Sequence, residues 1–338
     1  MVKYSKLFFS FITAFALTAP LSAHSQNCEK VKLSDFPKTD LPKIIDTSHS
    51  MQAQLKENGS YKFYYGIGVP VDYVKARQLA FIEMALNNEK DDIEPFTGAS
   101  ILMMLYANGY GVNRNLDLSI RLACANVGFA EAEIEGRMEH LKKMKSGESK
   151  EVFDLCDDIT SGYMTGYCAG VHSQLDKINR QAVIDSITKS WSEKEKAAYA
   201  TLRKAASGFF TERVMSEVDM SGTARVAEEV GEEESLEEDF KDKIIAANKC
   251  AFDPYTTQQW EAADQKLNSA YAKIMKITNP HWGTVTKQGI RSTQRDWIAY
   301  RDAWITFVAV KCPQISATAL KTLLTTERTD QLEEWNEE

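Results

Sequence analysis

Apolar residues recur every three or four positions through most of this chain, beginning near Ile44. This spacing is the period of an amphipathic α-helix. Short alternating runs of β-branched residues, which would indicate strands, do not recur along the chain. The pattern therefore predicts an all-α protein: a short α-solenoid of helix-turn-helix repeats followed by two helical-hairpin modules.

The clearest predicted helix contains Arg291–Trp304, which has neither proline nor glycine. Trp297, Tyr300, Arg301 and Trp304 fall at i, i+3, i+4 and i+7, so they share one helix face. Two interpretations are open for this aromatic face. The favoured one is a core-facing helix whose arginine meets a partner carboxylate, and the other is a direct binding surface.

Residues 44–145 contain an internal repeat. Gly66–Val69 recurs 43 residues later as Gly109–Val112, with a helical pattern before each turn and Asp72 or Asn115 after it. A period of this size with one helix pair per unit is typical of an α-solenoid. Glycine suits these turns because the chain must leave the first helix in a left-handed conformation.

The repeat resembles the Sel1-like repeats, with Ala99–Glu131 as the fuller copy and Gly59–Asn88 as the other. The resemblance extends over about 59–145. It implies a scaffold for protein contacts and no chemistry.

The polar stretch 142–150 predicts a domain boundary, and a second, longer repeat follows it at 151–245 and 250–338. Phe209 and Arg213 of the first copy lie 88 positions before Trp297 and Arg301 of the second. Each copy is expected to contain two long helices joined by a short turn.

The second copy resembles the LprI-like family of lysozyme inhibitors. The resemblance rests on an opening cysteine and a D-x-x-L-N-x-x-Y helix, then on Q-R-D-W and Y-R-D, and on a T-T-E-R tail. The family's second early cysteine is missing near Trp260. The first copy has Phe209 and Glu212 in place of the tryptophan and tyrosine, so it is a degenerate copy at best.

The predicted structural signature of this family resemblance is Asp264, Asn268, Tyr271, Arg291, Trp297, Tyr300 and Arg301. We hypothesise an ion pair between Asp264 and Arg301, with Asn268 hydrogen-bonding nearby, because both charged residues lie on apolar helix faces.

The N-terminus reads as a secretory signal peptide, residues 1–25, because lysines precede a short apolar run that ends in small residues. Residues 26–43 are expected to form an extended lead-in. Asn27 immediately before Cys28 argues against a lipid-modified cysteine. We therefore expect a periplasmic or secreted protein with no membrane insertion after signal cleavage, since the apolar run is too short to span a bilayer.

Export would allow all six cysteines to form disulfides, for which fifteen connectivities exist. One disulfide within each of the two modules is preferred, and the third pair, formed by the remaining two cysteines, is the least supported. The preferred pairs are Cys156 with Cys168, Cys250 with Cys312, and Cys28 with Cys124.

The formal net charge of −8 argues against a nucleic-acid partner and favours a basic protein partner or none. Eight of the twelve residues in 228–239 are acidic. This acidic run is interpreted as a solvated linker, with docking to a basic protein as the alternative.

The sequence offers no candidate catalytic, cofactor-binding or metal-binding residues. Its histidines after the signal, at 49, 140, 172 and 281, do not stand at metal-ligand spacing, and no nucleophile or phosphate-loop motif occurs. The chain is therefore predicted not to be an enzyme and to need no cofactor.

Two functional hypotheses remain. The first, implied by the LprI-like resemblance, is an exported protein that binds and blocks a basic lysozyme. The second is a periplasmic interaction scaffold built on the Sel1-like repeats, without lysozyme inhibition. Loop 279–286 or the acidic run is expected to make any lysozyme contact.

Overall fold

The computed structural model describes residues 28–87, 95–96, 98–125 and 129–336. The predicted signal peptide lies outside these residues. Within them the secondary structure is helical and contains no strand, which confirms the all-α prediction.

The described residues of the first half of the chain form six helices after a 3-10 turn at Leu33–Asp35. They are α1 His49–Glu57, α2 Ser60–Tyr65, α3 Tyr73–Asn87, α4 Ala99–Asn108, α5 Leu116–Ala125 and α6 Glu131–Ser146. The second half contains six longer helices and ends in a 3-10 turn at Glu334–Asn336. They are α7 Gly162–Thr188, α8 Glu193–Glu217, α9 Arg225–Asn248, α10 Thr257–Lys276, α11 Lys287–Lys311 and α12 Ala317–Glu333.

Helices α2 to α6 stack in chain order, each against the next. The two glycine turns that join α2 to α3 and α4 to α5 have the same backbone geometry. Gly66 and Gly109 end their helices in the left-handed conformation, with φ of 77° and 72°. A side chain would be strained at either position, which is the physical reason for glycine there.

The polar residue after each turn repeats its hydrogen bonds as well. Asp72 donates its N–H to the Phe63 carbonyl and Asn115 donates its own to the Tyr106 carbonyl, both at 2.9 Å. The side-chain oxygen of Asp72 or Asn115 then accepts a backbone N–H three residues later, at 2.9 and 3.0 Å. The two units are thus equivalent at the level of individual hydrogen bonds.

The buried apolar residues form two cores, one reaching from Val31 to Val171 and the other from Trp191 to Leu332. Helix α7 belongs to both, because its first half packs in the first core and its end packs in the second. The predicted boundary at 142–150 lies inside the first core, since Phe153 and Leu155 beyond it are fully buried there. A polar surface stretch marked a turn rather than the end of the packed unit.

Each copy of the longer repeat contains three helices rather than the expected two. In the first copy α7 packs along α9, and in the second α10 packs along α12. The middle helices α8 and α11 pack along each other in the most extensive helix contact of the described chain. They run antiparallel, because Lys311 reaches Glu195 at one end and Gly289 abuts Ser216 at the other. The copies are therefore related by an approximate two-fold axis.

Polar caps fix where most of these longer helices begin. At each of these starts a serine or threonine hydroxyl accepts a backbone N–H of the first turn. The capping residues are Ser161, Ser192, Thr256, Thr286 and Ser316.

The acidic run 228–239 is not a linker, because it lies within helix α9. Leu236, Phe240 and Ile244 repeat at four-residue intervals and bury one face of that helix. The charge of the run suggests a linker, but this apolar stripe packs the helix into the second core.

Three disulfides join all six cysteines in the three pairs preferred from the sequence. Cys28–Cys124 attaches the lead-in to α5, and Cys156–Cys168 closes the segment before α7. Cys250–Cys312 connects the C-terminal ends of α9 and α11. No helix in the described ranges is both long enough and apolar enough to cross a membrane.

Candidate binding surfaces of the C-terminal helices

The aromatic face of α11 lies in the interior between the two three-helix copies. Trp297, Tyr300 and Trp304 are 2%, 4% and 0% exposed. Tyr300 stacks on Phe209 of α8 with a centroid separation of 5.2 Å. These aromatic side chains therefore hold the two copies together and are not accessible to a partner.

Arg301 does not pair with Asp264, so that hypothesis was wrong. Its guanidinium contacts the neighbouring Asp302 at 2.8 Å and lies over the Trp297 ring at 5.2 Å. Asp264 instead accepts a hydrogen bond from Asn268 at 3.0 Å. The physical reason is packing, because α10 lies along α12 whereas α11 lies along α8.

The buried ion pair of the module is formed by residues that the sequence did not single out as partners. Arg328 of α12 binds Glu217 of α8 through two hydrogen bonds of 2.8 and 2.6 Å, and both side chains are 0% exposed. Arg213 contacts the same Glu217 at 2.7 Å. Gln294 accepts a further hydrogen bond from Arg328 at 2.9 Å. This network bonds the first copy to the second across their interface.

The remaining signature residues do not converge on one site. Tyr271 is half-buried against the second core. Arg291 is exposed and contacts Gln288 at 3.3 Å. The seven signature residues therefore divide between the core and the surface rather than forming a binding site.

Three glutamates of the acidic run bind arginines of earlier helices. Glu234 contacts Arg180 at 2.9 Å and Glu237 contacts Arg203 at 2.8 Å. Glu232 binds Arg213. Much of the charge of the run is thus neutralised within the module, which leaves fewer free carboxylates for a partner than the sequence indicated.

Loop 279–286 is held firmly at its C-terminal part and exposes its tip. Trp282 is buried and packs edge-on against Trp335, with ring centroids 6.0 Å apart. The Thr284 N–H donates to Asp219 at 2.9 Å. Hydrogen bonds from Ser221 and Thr284 hold the pKa of Asp219 at about 2, so the carboxylate that anchors the loop is charged across the physiological range. His281 of this loop is exposed.

A groove of about 280 Å³ lies between the C-terminal half of α9, the loop 251–255 and α12. We call it the acidic-rimmed groove. Its walls are mainly apolar, and four carboxylates and one lysine stand at its rim and floor. The lining residues are Asp239, Asp242, Lys243, Ala246, Ala251, Phe252, Asp253, Tyr255, Ala319, Leu323 and Glu327.

Lys243 and Glu327 are the central polar pair of the acidic-rimmed groove. Lys243 is 6% exposed, and its ammonium contacts Glu327 at 2.9 Å as well as Asp239. Burial raises the pKa of Glu327 to about 7, with Asp239 adding to the rise and Lys243 opposing it. The carboxyl group of Glu327 is therefore partly protonated near neutral pH.

A second groove, of about 740 Å³, runs beside α7 where Gly162 and Gly166 allow the start of α9 to approach closely. Added side-chain carbons at these glycines would lie 2.5 Å from the Thr223 carbonyl and 3.0 Å from Val226. The glycines thus serve helix packing at this point.

The buried carboxylates of the first half are bound by backbone groups. Glu83 accepts N–H groups of Ser60 and Gly98, each at 2.8 Å, and burial raises its pKa. Glu133 accepts the N–H groups of Thr160 and Ser161 at 3.1 and 2.8 Å. Both carboxylates therefore stabilise the starts of neighbouring segments by hydrogen bonds to their backbone. In the described part of the chain, no group of three histidine, cysteine or acidic side chains is arranged to hold a metal.

Comparison with known proteins identifies one part of the chain. Residues 241–332 match the family model of the lysozyme inhibitor LprI. The match starts in α9 and extends through α10 and α11 into α12, so it includes nearly all of the acidic-rimmed groove. It confirms the resemblance seen in the second copy and begins nine residues earlier than the predicted 250.

The matched family is a family of inhibitors rather than of enzymes. The Sel1-like region is not matched by a family model and stays a prediction. Searches of curated proteins and of solved structures each found no match.

Proposed function

We propose that this protein is an exported, non-enzymatic binding protein that inhibits a basic lysozyme. The observation that carries the proposal is the match of residues 241–332 to the LprI inhibitor family. A protein partner is the corresponding ligand, and no cofactor is required. Lysozyme cleaves glycans with two carboxyl groups in an open cleft, so a protein that covers this cleft stops the reaction.

The charge of the chain supports a basic partner. Its net charge is −8, and oppositely charged surfaces speed the encounter of two proteins and favour the correct orientation. The exposed tip of loop 279–286 is one contact element in this proposal. The acidic-rimmed groove is a second surface within the matched segment.

Export is supported by the three disulfides, because such bonds persist in oxidising compartments. We place the mature protein in the periplasm or outside the cell.

A binding assay tests the proposal. The full mature chain should be retained on an immobilised basic lysozyme at low salt, and retention should weaken as salt rises because the Debye length falls to about 3 Å at 1 M. An acidic protein immobilised at the same density serves as the control. No retention of the folded chain at micromolar concentration would contradict the proposal.

The scaffold function is the second candidate, and the equivalence of the two glycine turns favours it. Asp72 and Asn115 repeat the same backbone and side-chain hydrogen bonds, as expected of units in a repeat scaffold. If the folded chain neither binds lysozyme nor slows its reaction, the scaffold function is the remaining candidate.

A further inference from the structure

The shape and charge of the acidic-rimmed groove indicate which chemical group of a partner it would hold. We propose that it receives a lysine or arginine side chain presented by the basic protein partner. This inference rests on the proposed function, because it names the contact by which the inhibitor module would hold its target.

The walls of the groove fit the stem of such a side chain. Phe252, Tyr255 and Leu323 are half-buried around it, and Ala246 and Ala319 leave the space between them open. Lysine and arginine carry an apolar stem that packs on such surfaces while the charged head reaches a polar rim. The two aromatic rings also present faces that attract a cation.

The rim provides the complementary charge. Asp242 and Asp253 are exposed at the groove, and Asp239 and Glu327 also line it. Lys243 and Lys241 offset part of this charge, since Lys241 contacts Asp242 at 3.2 Å and also binds Glu238. An excess of negative charge remains, and Asp253 has no ion pair within the described chain.

The protein itself shows that the groove accommodates an ammonium group. The stem of Lys243 is buried along the floor, and its Nζ lies 2.9 Å from a Glu327 oxygen. A second cation entering from solvent would meet Asp242 and Asp253, which are the exposed carboxylates of the groove. A metal ion fits less well, because the described carboxylates do not form a metal-binding group.

Two double variants of the full chain test the proposal. D242N/D253N removes two carboxylates at the groove, and E131Q/E135Q removes two exposed glutamates of α6 that form no ion pair in the described chain. Both change the net charge equally. We expect the groove variant to raise the Kd for lysozyme about tenfold and the control to raise it less than about twofold. Unchanged thermal unfolding of both variants would show that the fold is intact.

If the two variants weaken lysozyme binding equally, the groove carboxylates act only through the net charge of the protein. That result would overturn the proposal. Unchanged lysozyme binding by D242N/D253N would overturn it as well. Leu323→Lys is a further variant, which should weaken binding because its own ammonium would fill the groove.

A titration with small ligands separates this inference from the proposed function. A short arginine peptide, and separately calcium chloride, are titrated into the wild-type chain and both double variants. If D242N/D253N alone loses peptide binding, the groove proposal is supported. This holds even if the wild type does not bind lysozyme, because that second result would contradict only the proposed function. Absence of peptide binding to the wild type, or binding of calcium in its place, would overturn the groove proposal.

Discussion

Equivalent arginines in the two copies have different environments. Arg213 of α8 is buried and binds Glu217 one turn further along the same helix. Arg301 occupies the repeat-equivalent position in α11, but Ile305 stands where the first copy has Glu217. Arg301 therefore remains near the surface with Asp302, and the buried charge of the second copy is supplied by Arg328 instead.

Replacing Arg328 with methionine should destabilise the protein strongly. The substitution removes one partner of a fully buried pair, which costs about 3 kcal/mol. Arg301→Met is the matched control and should cost less than about 1 kcal/mol, because its ion pair is partly exposed. Urea unfolding of both variants measures the difference. A larger effect at Arg301 than at Arg328 would contradict the assigned network.

The raised pKa of Glu327 predicts a specific pH dependence of stability. Its pKa rises from 4.5 to about 7 on folding, so the folded state holds the proton more tightly than the unfolded state. The contribution of Glu327 to stability is fully present below about pH 4.5 and is lost as the pH rises through 7. The charged groups that face it are Lys243, Asp239 and Asp330.

Glu327→Gln removes this titration and keeps Asp239 as a partner of Lys243. We expect the melting temperature of the wild type, relative to the variant, to fall between pH 4.5 and pH 7. A constant difference across that range would show that the pKa of Glu327 is not raised.

At the scale of elements, the glycine turns of the first half determine how the helices stack. Gly111 has a φ of 65°, and a side-chain carbon added there would lie 3.0 Å from the Tyr73 Cβ and 3.1 Å from its backbone carbonyl carbon. Tyr73 begins α3, so Gly111 permits the second turn to approach the first unit. Tyr110 beside it stacks on the ring of Tyr73 at 4.6 Å.

Gly111→Ala should therefore cost about 2 kcal/mol, from the left-handed conformation and from the close contact with Tyr73. Gly208→Ala is the control, because Gly208 lies in α8 with no atom within 4 Å of an added carbon. That control should gain about 1 kcal/mol through higher helix propensity. Thermal unfolding of the two variants tests the difference in sign.

The periodic pattern was sufficient to predict the helices and the glycine turns, because both depend on residues close in sequence. The partners of each helix depend on distant residues and could not be predicted in the same way. Asp264 and Arg301 both lie on amphipathic helices, yet nothing local indicates that α11 pairs with α8. The acidic run was misinterpreted for a related reason, since the arginines that bind its glutamates lie 19 to 54 residues earlier.

The acidic-rimmed groove also could not be predicted from residues that are close in sequence. Its rim combines α9, the loop 251–255 and α12, which are separated by up to 88 positions between Asp239 and Glu327. The loop 279–286 was predicted as a contact element, whereas its anchor on Asp219 became visible only in the structure.

At the scale of the whole molecule, the family-matched segment is one half of an internal pair. Trp297, Tyr300 and Trp304 face α8, which lies outside residues 241–332. Glu217, the partner of Arg328, lies outside them too. The first copy therefore completes the core of the second.

The isolated segment 241–332 should consequently not fold as a stable monomer. We expect it to be largely unfolded, or to associate with a second copy through the exposed face of α11. Circular dichroism during heating and sedimentation analysis would measure this, with the full chain as the control. A monomeric fragment as stable as the full chain would contradict the internal pairing.

The most direct test of the proposed function is the rate at which a basic lysozyme hydrolyses peptidoglycan in the presence of the full mature chain. We predict that micromolar protein lowers the initial rate in proportion to the lysozyme bound, and that added salt restores the rate as binding weakens. A hydrolysis rate that stays unchanged while the folded protein is present in excess over lysozyme would contradict the account.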